Sequence, residues 1–326
     1  MVFRARKKNR RLSIFFATDI HGSEICFKKF LAAPAFYGAD VCVLGGDMTG
    51  KMIVPLISQG ADGYSARIAG REVTASGEDE VRALEARVRD SGFYPYRTNP
   101  DEMKELADDA ARVEEIFHGE MAATLRRWGE LAEQKYAGTD RVIYVAPGND
   151  DPFFIDDVIG EIARFRLIEG EVVTIGDRYE MLATGYSNRT PWNTHREVDE
   201  DELRELIDKL AARLTNMESA VFNIHVPPFD TTIDEGPDIN PETWDQKTSM
   251  GRSVTKPVGS VAVRQAIEDH QPMLSLHGHI HESRGVVRLG RTLAINPGSD
   301  YGDSVLRGCL VLLEGGRVAG HQLTSG

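Results

Sequence analysis

Asp19, His21, Asp47, Asn149, His225, His279 and His281 are the side chains of this 326-residue chain whose types and places could do chemistry together. They fall in five short stretches: Asp19-Ile20-His21-Gly22, Gly45-Gly46-Asp47, Pro147-Gly148-Asn149-Asp150, His225, and Gly278-His279-Ile280-His281. Each stretch alone says little, since Asp-x-His and Gly-Asp arise often by chance and a lone histidine is commonly a hydrogen-bonded core or surface residue. As a set they are hard and borderline oxygen and nitrogen donors, which suit divalent ions such as Mn, Fe, Zn or Ni. Cys26, Cys42 and Cys309 are odd in number and far apart, so they indicate neither a thiolate zinc site nor a disulfide framework.

The elements before these stretches must bring them together. Apolar runs at 12–18, 41–44, 142–146, 220–224 and 273–276 read as strands; the first four end directly at a donor stretch, and the fifth runs through His277 into Gly278-His279-Ile280-His281. Ligands gather at the carboxyl ends of strands in α/β sheets, so five such endings predict one shared site. Further strands are predicted near 172–175, 179–184, 286–289, 292–295, 309–313 and 317–322. A helix is predicted over 199–214, with Leu203, Leu206, Ile207, Leu210 and Leu214 inward.

Residues 51–138 interrupt this rhythm. Runs at 53–57 and 66–73 read as strands and are followed by two helices. The first is capped by Ser76 with Asp79, shows Val81, Leu84 and Val88 on one face, and stops before Gly92. The second starts with Asn99 as N-cap, Pro100 in its first turn and Glu102 completing a capping box. Its apolar positions run from Met103 through Phe117, Met121 and Trp128 to Ala132, which predicts one long amphipathic helix of ~50 Å at about 1.5 Å per residue. Such a helical insertion serves as scaffold, as the face of a homo-oligomer, or as a lid. The stretch 227–256 reads as a long irregular loop after His225, and loops of that length tend to be functional.

The order of the five stretches resembles that of the calcineurin-like metallophosphoesterases, over nearly the whole chain outside 51–138. The resemblance implies an α+β fold, a four-layer α/β/β/α sandwich of two mixed sheets, here one domain over 1–326 carrying the insertion. It also implies two divalent metal ions, one held by Asp19, His21 and His281 and the other by Asn149, His225 and His279, with Asp47 bridging. The expected activity is hydrolysis of a phosphate ester, diester or monoester, nucleotides and cyclic nucleotides included, by a metal-bridging hydroxide. Ions roughly 3.5–4 Å apart can lower the pKa of a shared water and hold phosphate oxygens on both sides. A non-catalytic interaction module on the same fold is the alternative.

Asp150 departs from the family pattern, which commonly has a histidine there that donates to the leaving oxygen or the phosphate. A carboxylate acts as a catalytic acid only if its pKa is raised. Asp150 is therefore a protonated acid or a structural residue, unless a water or an arginine does that work or the substrates have good leaving groups. Asp151 reads as structural. Arg189, in the polar and aromatic segment 188–195, is a candidate for pairing with phosphate, and Arg252 and Lys256 are similar candidates. His277 would point opposite to a ligand, and 296–299 reads as a turn holding the metal loops.

The net charge is −13, with 38 Lys plus Arg against 51 Asp plus Glu. That average disfavours long nucleic acid, which basic side chains normally bind, and leaves small phosphate esters. The basic head, Arg4, Arg6, Lys7, Lys8, Arg10 and Arg11, reads as a solvated terminus. No stretch has the apolar length of a signal peptide or membrane helix, so the expectation is a cytoplasmic protein without a membrane partner.

Overall fold

The computed structural model describes residues 11–60, 63–176, 178–239, 243, 245–249 and 252–326, with backbone alone at 249, 252 and 253. The basic residues at 4–10 and the Arg252 side chain lie outside the described residues.

Strand Leu12–Ala17 is buried at all six positions, as its apolar sequence requires of a strand covered on both faces. It pairs parallel with Val41–Leu44 and antiparallel with Arg307–Glu314. The complete sheet runs Arg317–Ser325, Arg307–Glu314, Leu12–Ala17, Val41–Leu44, Ile143–Val145, Phe165–Leu167. A second six-stranded sheet runs Gly285–Leu289, Thr292–Asn296, Leu274–Leu276, Val221–Ile224, Tyr179–Thr184, Glu171–Ile175. Both are mixed, so the protein is α+β. The five predicted strands before the donor stretches all form, and the short strand Phe165–Leu167 is an addition.

Strand alternation sorts the core into clusters. Leu12, Ile14, Phe16, Val41 and Val43 of the first sheet share one cluster with Met181, Ala183, Val221, Leu274 and Leu276 of the second. The alternate residues Phe15, Ala17, Cys42 and Leu44 pack with helices α1 (Glu24–Tyr37), α4 (Ala110–Lys135) and α5 (Ile155–Gly160). Leu182, Phe222 and Ile224 pack instead with α6 (Glu200–Ala211) and α7 (Val261–His270).

The segment 51–138 is not simply helical. It holds a four-stranded sheet of Arg71–Ser76, Gly63–Ile68, Ile53–Ser58 and Tyr94–Thr98, on which α2 (Gly77–Asp90) packs through Val81, Leu84 and Val88. The run at 66–73 splits because Ala69 (φ 48°) and Gly70 (φ 77°) turn the chain. Ser76 makes no side-chain cap bond, and the carboxylate that reaches back to its amide is Glu80, at 2.8 Å, not Asp79. The long helix is broken as well, into α3 (Pro100–Ala107) and α4, where Asp109 starts the new helix by accepting from the Arg112 amide at 3.0 Å. Asn99 does cap α3, but Glu102 bonds Thr98 and Tyr96, not the Asn99 amide. At its far end α4 joins the main core: Trp128 is fully buried and stacks on Phe27 at 4.3 Å.

Residues 227–256 carry more order than an irregular loop, since Glu235–Pro237 pairs antiparallel with Thr255–Pro257. Among the described residues no helix is long and apolar enough to cross a membrane.

Candidate metal centre

The five donor stretches meet at the carboxyl ends of the central strands, and their backbones are laced together. The amide of Asp19 donates to Gly46 O at 2.9 Å, that of His21 to Asp47 O at 3.0 Å, and that of Gly278 to His225 O at 2.8 Å. The His279 amide donates to both oxygens of Asp19 at 3.1 Å, and the Asp150 amide to Asp47 Oδ1 at 3.0 Å. Asp19 (φ 53°), His21 (φ 38°), Asp47 (φ 48°) and His279 (φ 68°) all take the left-handed conformation, which costs free energy at a residue other than glycine. Two glycines make the approach possible: a Cβ on Gly148 would lie 2.1 Å from Asp47 Oδ1, and one on Gly278 2.2 Å from Asp19 Oδ2. These positions are tight because carboxylates sit where side chains of the neighbouring loop would otherwise stand.

Two triads result, Asp19 with His21 and His281, and Asp47 with His225 and His279, and a third group, His21 with Asp47 and Asp150, overlaps both, the donor atoms of each lying within 4.8 Å of one another. His21 Nε2 is 3.1 Å from His281 Nε2 and 3.7 Å from Asp47 Oδ2, so the two triads adjoin. His225 Nε2 is buried without a hydrogen-bond partner, 3.4 Å from Asp47 Oδ1 and 3.8 Å from Asp19 Oδ1. Asn149 Oδ1 faces His279 Nδ1 at 2.7 Å. Burial, and then the neighbouring Asp150 carboxylate, push the Asp47 carboxyl above the usual carboxylate range. Burial also pushes His279 down to about 3, which keeps its imidazole neutral and able to ligate. A buried set of lone pairs with an orphaned imidazole nitrogen fits divalent cations.

Several neighbours escaped the sequence reading. Thr194 Oγ1 accepts from Asn149 Nδ2 at 2.7 Å and donates to Glu197 at 2.7 Å. Arg196, 1% exposed, holds the loop after Asn149 by donating to Asp151 O, Pro152 O and the Asp156 carboxylate. Tyr301 stands against His21 with ring centroids 4.7 Å apart. Lys51 Nζ lies 2.5 Å from Asp150 Oδ2. Spacing does not mark these contacts: Lys51 follows Asp47 on the same loop and Thr194 lies in the 188–195 segment, but which side chain each one meets is set by how the loops cross.

Other candidates fall into place individually. Asp151 is wholly buried and accepts from the amides of Met48, Thr49 and Gly148 and from Thr49 Oγ1, a structural clamp between two ligand loops. His277 Nδ1 points away, to Ile224 O and Val226 O at 2.8 and 3.0 Å. Ser299 Oγ donates to Asp19 O at 2.6 Å, so the 296–299 turn does hold a ligand loop. Arg189 lines the adjoining cavity but is exposed and paired with Asp199 at 3.0 Å. Lys256 lines the same cavity, paired with Asp238 at 2.8 Å.

That cavity, about 860 Å³, opens beside Asp47, Asn149, His279 and His281. Its other walls are largely apolar: Phe117 and Met121 from α4, Trp192, and Phe229, Pro237 and Val258 from the segment after His225.

No family model matches the chain. An uncharacterized protein of Methanocaldococcus jannaschii is 28% identical over 199 residues, which is 60% of this chain and 79% of that protein. One solved structure covers 97% of this chain and 99% of its own with a TM-score of 0.56 at 14% identity. The Thermus thermophilus protein TT1561 covers 97% and 99% with a TM-score of 0.51 at 12% identity. An archaeal phosphodiesterase also aligns over 97% of this chain and 100% of its own, at a TM-score of 0.37 and 9% identity. At these identities what the first two structures share with the chain is the fold. With its seven donors gathered at the ends of the strands, in the order Asp-x-His, Gly-Asp, Gly-Asn, His, Gly-His-x-His, the chain is similar to the calcineurin-like metallophosphoesterases.

Proposed function

We propose that this chain is a metal-dependent phosphoric ester hydrolase with a binuclear centre, acting on small phosphate esters. The observation that carries the reading is the convergence of seven donors from five separate strand ends: six form two adjoining triads, each within 4.8 Å, and the seventh, Asn149, sets its Oδ1 2.7 Å from His279 Nδ1. Asp19, His21 and His281 would hold one divalent ion and Asn149, His225 and His279 the other, with Asp47 between them. When bound, two such ions supply positive charge for phosphate oxygens and make water a nucleophile near neutral pH.

The protein's own residues do the rest. Thr194 turns the Asn149 oxygen toward His279, Asp151 and Arg196 fix the loop that carries Asn149, and the apolar walls offer contact to the organic part of an ester. A cavity of about 860 Å³ exceeds what a phosphate alone needs, which favours an ester whose organic part is apolar or aromatic, such as a nucleoside. The net charge of −13 remains unfavourable for long polyanions. The architecture we read around the site is the four-layer sandwich, supported by the separate clusters between the sheets and on their outer faces.

The test is turnover of bis(p-nitrophenyl) phosphate and p-nitrophenyl phosphate by metal-stripped protein after addition of Mn, Zn, Ni or Fe. Metal-dependent release of nitrophenol from either ester is expected. No turnover with any metal, together with less than about one bound ion per chain, overturns the reading in favour of a non-catalytic module on the same fold.

A further inference from the structure

Asp150 stands where the resembling proteins commonly carry a histidine, and the structure sets a cation against it. Three lysine or arginine side chains line the cavity among the described residues: Lys51, Arg189 and Lys256. The last two are paired with Asp199 and Asp238, away from the ligand loops. Lys51 is paired with Asp150, whose amide donates to Asp47 Oδ1 and whose carboxylate lies within 4.8 Å of donor atoms of His21 and Asp47. Lys51 is thus the cation at the donor end of the cavity.

Two successive carboxylates fix it. Asp151 accepts from the amides of Met48 and Thr49 and so holds the backbone that leads to Lys51, while Asp150 grips the ammonium. Tyr94, from the inserted sheet, secures the intervening residue, its hydroxyl oxygen accepting from the Gly50 amide at 2.6 Å. Burial works against the Lys51 charge, but Asp150 and Asp47 outweigh it and hold the ammonium protonated. The side chain is 48% exposed and lines the cavity. An ammonium has three N–H donors and Asp150 takes one, which leaves donors for a substrate.

We propose that Lys51, positioned by Asp150, meets the departing ester oxygen of the substrate; this rests on the phosphoesterase reading above. In the step a water oxygen forms the new bond to phosphorus while the phosphorus–ester oxygen bond breaks. The bonding electron pair leaves on the ester oxygen, and a Lys51 N–H donates a hydrogen bond to the charge that grows there. The attacking water's proton goes to solvent, and the released oxygen takes one from solvent. Lys51 is in this account a catalytic residue and Asp150 a positioning residue, and a preorganised donor at such a place contributes about 10²–10³-fold in kcat.

The test is a series of methyl aryl phosphodiesters, from dinitrophenol to phenol as leaving group, turned over by the Mn-loaded protein. Lys51→Met is expected to lower kcat on the phenyl ester by about 100-fold while changing the dinitrophenyl ester only a few-fold, so that dependence on leaving-group pKa steepens. Lys51→Arg restores most of the loss, and Asp150→Asn steepens the dependence to a lesser degree. Mn content and melting temperature equal to wild type certify the variants; if Lys51→Met fails to fold, Lys51→Gln takes its place. An active wild type with an unchanged slope in the folded Lys51 variant overturns this proposal alone. A wild type without metal-dependent turnover overturns the phosphoesterase reading and this proposal with it.

Discussion

The Asn149 side-chain amide is oriented by Thr194: Nδ2 donates to Thr194 Oγ1 at 2.7 Å, which leaves Oδ1 facing His279 Nδ1 at 2.7 Å. An asparagine can offer a cation only its oxygen, so the threonine decides whether Asn149 is a ligand or a repelling NH₂ group. Thr194→Val keeps the shape and removes the acceptor. The expected result is a 10–100-fold loss of Mn affinity at one of the two sites, with melting of the metal-free protein nearly unchanged. Calorimetric titration with Mn measures it, and an unaltered isotherm refutes the role.

His225 and His277 offer a sharper contrast, because both are buried histidines from neighbouring strand ends. His225 Nε2 faces Asp47 and Asp19, whereas His277 Nδ1 donates to backbone carbonyls. His225→Ala is expected to reduce bound metal and abolish activity while the fold survives. His277→Ala is expected to cost about 2–3 kcal/mol of stability, through a cavity and unpaired carbonyls, with metal content retained. Elemental analysis after Mn reconstitution, paired with denaturant melts, distinguishes the two; the reverse pattern removes the assignment of ligand and core histidine.

Metal removal should itself lower stability. An ion that binds the folded chain and not the unfolded one stabilises by about 2.7 kcal/mol when present at 100 times its dissociation constant. Thermal melts with chelator and with rising Mn are expected to show a midpoint that climbs with metal concentration. A midpoint indifferent to Mn means that the donors do not form a site.

Glu169, which is no metal ligand, predicts a pH dependence of stability. Its half-buried carboxylate accepts from the Gly185 amide at 2.6 Å and from Thr184 Oγ1 at 3.1 Å, yet burial outweighs these bonds and pushes it from 4.5 up to about 7. Since the folded pKa is raised, the folded state binds this proton more tightly than the unfolded state. The stabilisation is fully present below pH 4.5 and is lost as pH rises to about 7. Glu169→Gln should flatten this part of the stability profile, and equal slopes for variant and wild type across that window contradict the account.

The apolar wall gives a specificity prediction. Phe117 projects from α4 into the cavity and also meets Tyr94 edge-on, with ring centroids 5.6 Å apart. Phe117→Ala is expected to raise KM about 10-fold for thymidine 5′-p-nitrophenyl phosphate and little for methyl p-nitrophenyl phosphate, which shares its leaving group. Equal effects on both esters exclude a contact with the organic part.

The sequence by itself determined the strands and the donors at their ends. A buried strand shows as a mostly apolar run, and the polar groups just past its end are visible beside it, so Asp19, Asp47, Asn149, His225 and His279 could be placed from the sequence. Local patterning also placed the inward faces of α2 and α6. It failed where two local signals competed: the 66–73 run satisfied a strand pattern although Ala69-Gly70 turns it, and the apolar period from Met103 to Ala132 continued across the break at Asp108-Asp109.

Only the tertiary structure decided what stands beside the donors. Lys51 meets Asp150 from 99 positions away in the chain, Thr194 meets Asn149 across 45 positions, and Tyr301 meets His21 across 280. Such pairs leave no trace in periodicity or spacing, because a side-chain contact depends on how the loops cross and not on the segment that carries each residue. The ligands are legible because strand ends collect them. The groups that orient the ligands, and the lysine that completes the site, are fixed by packing.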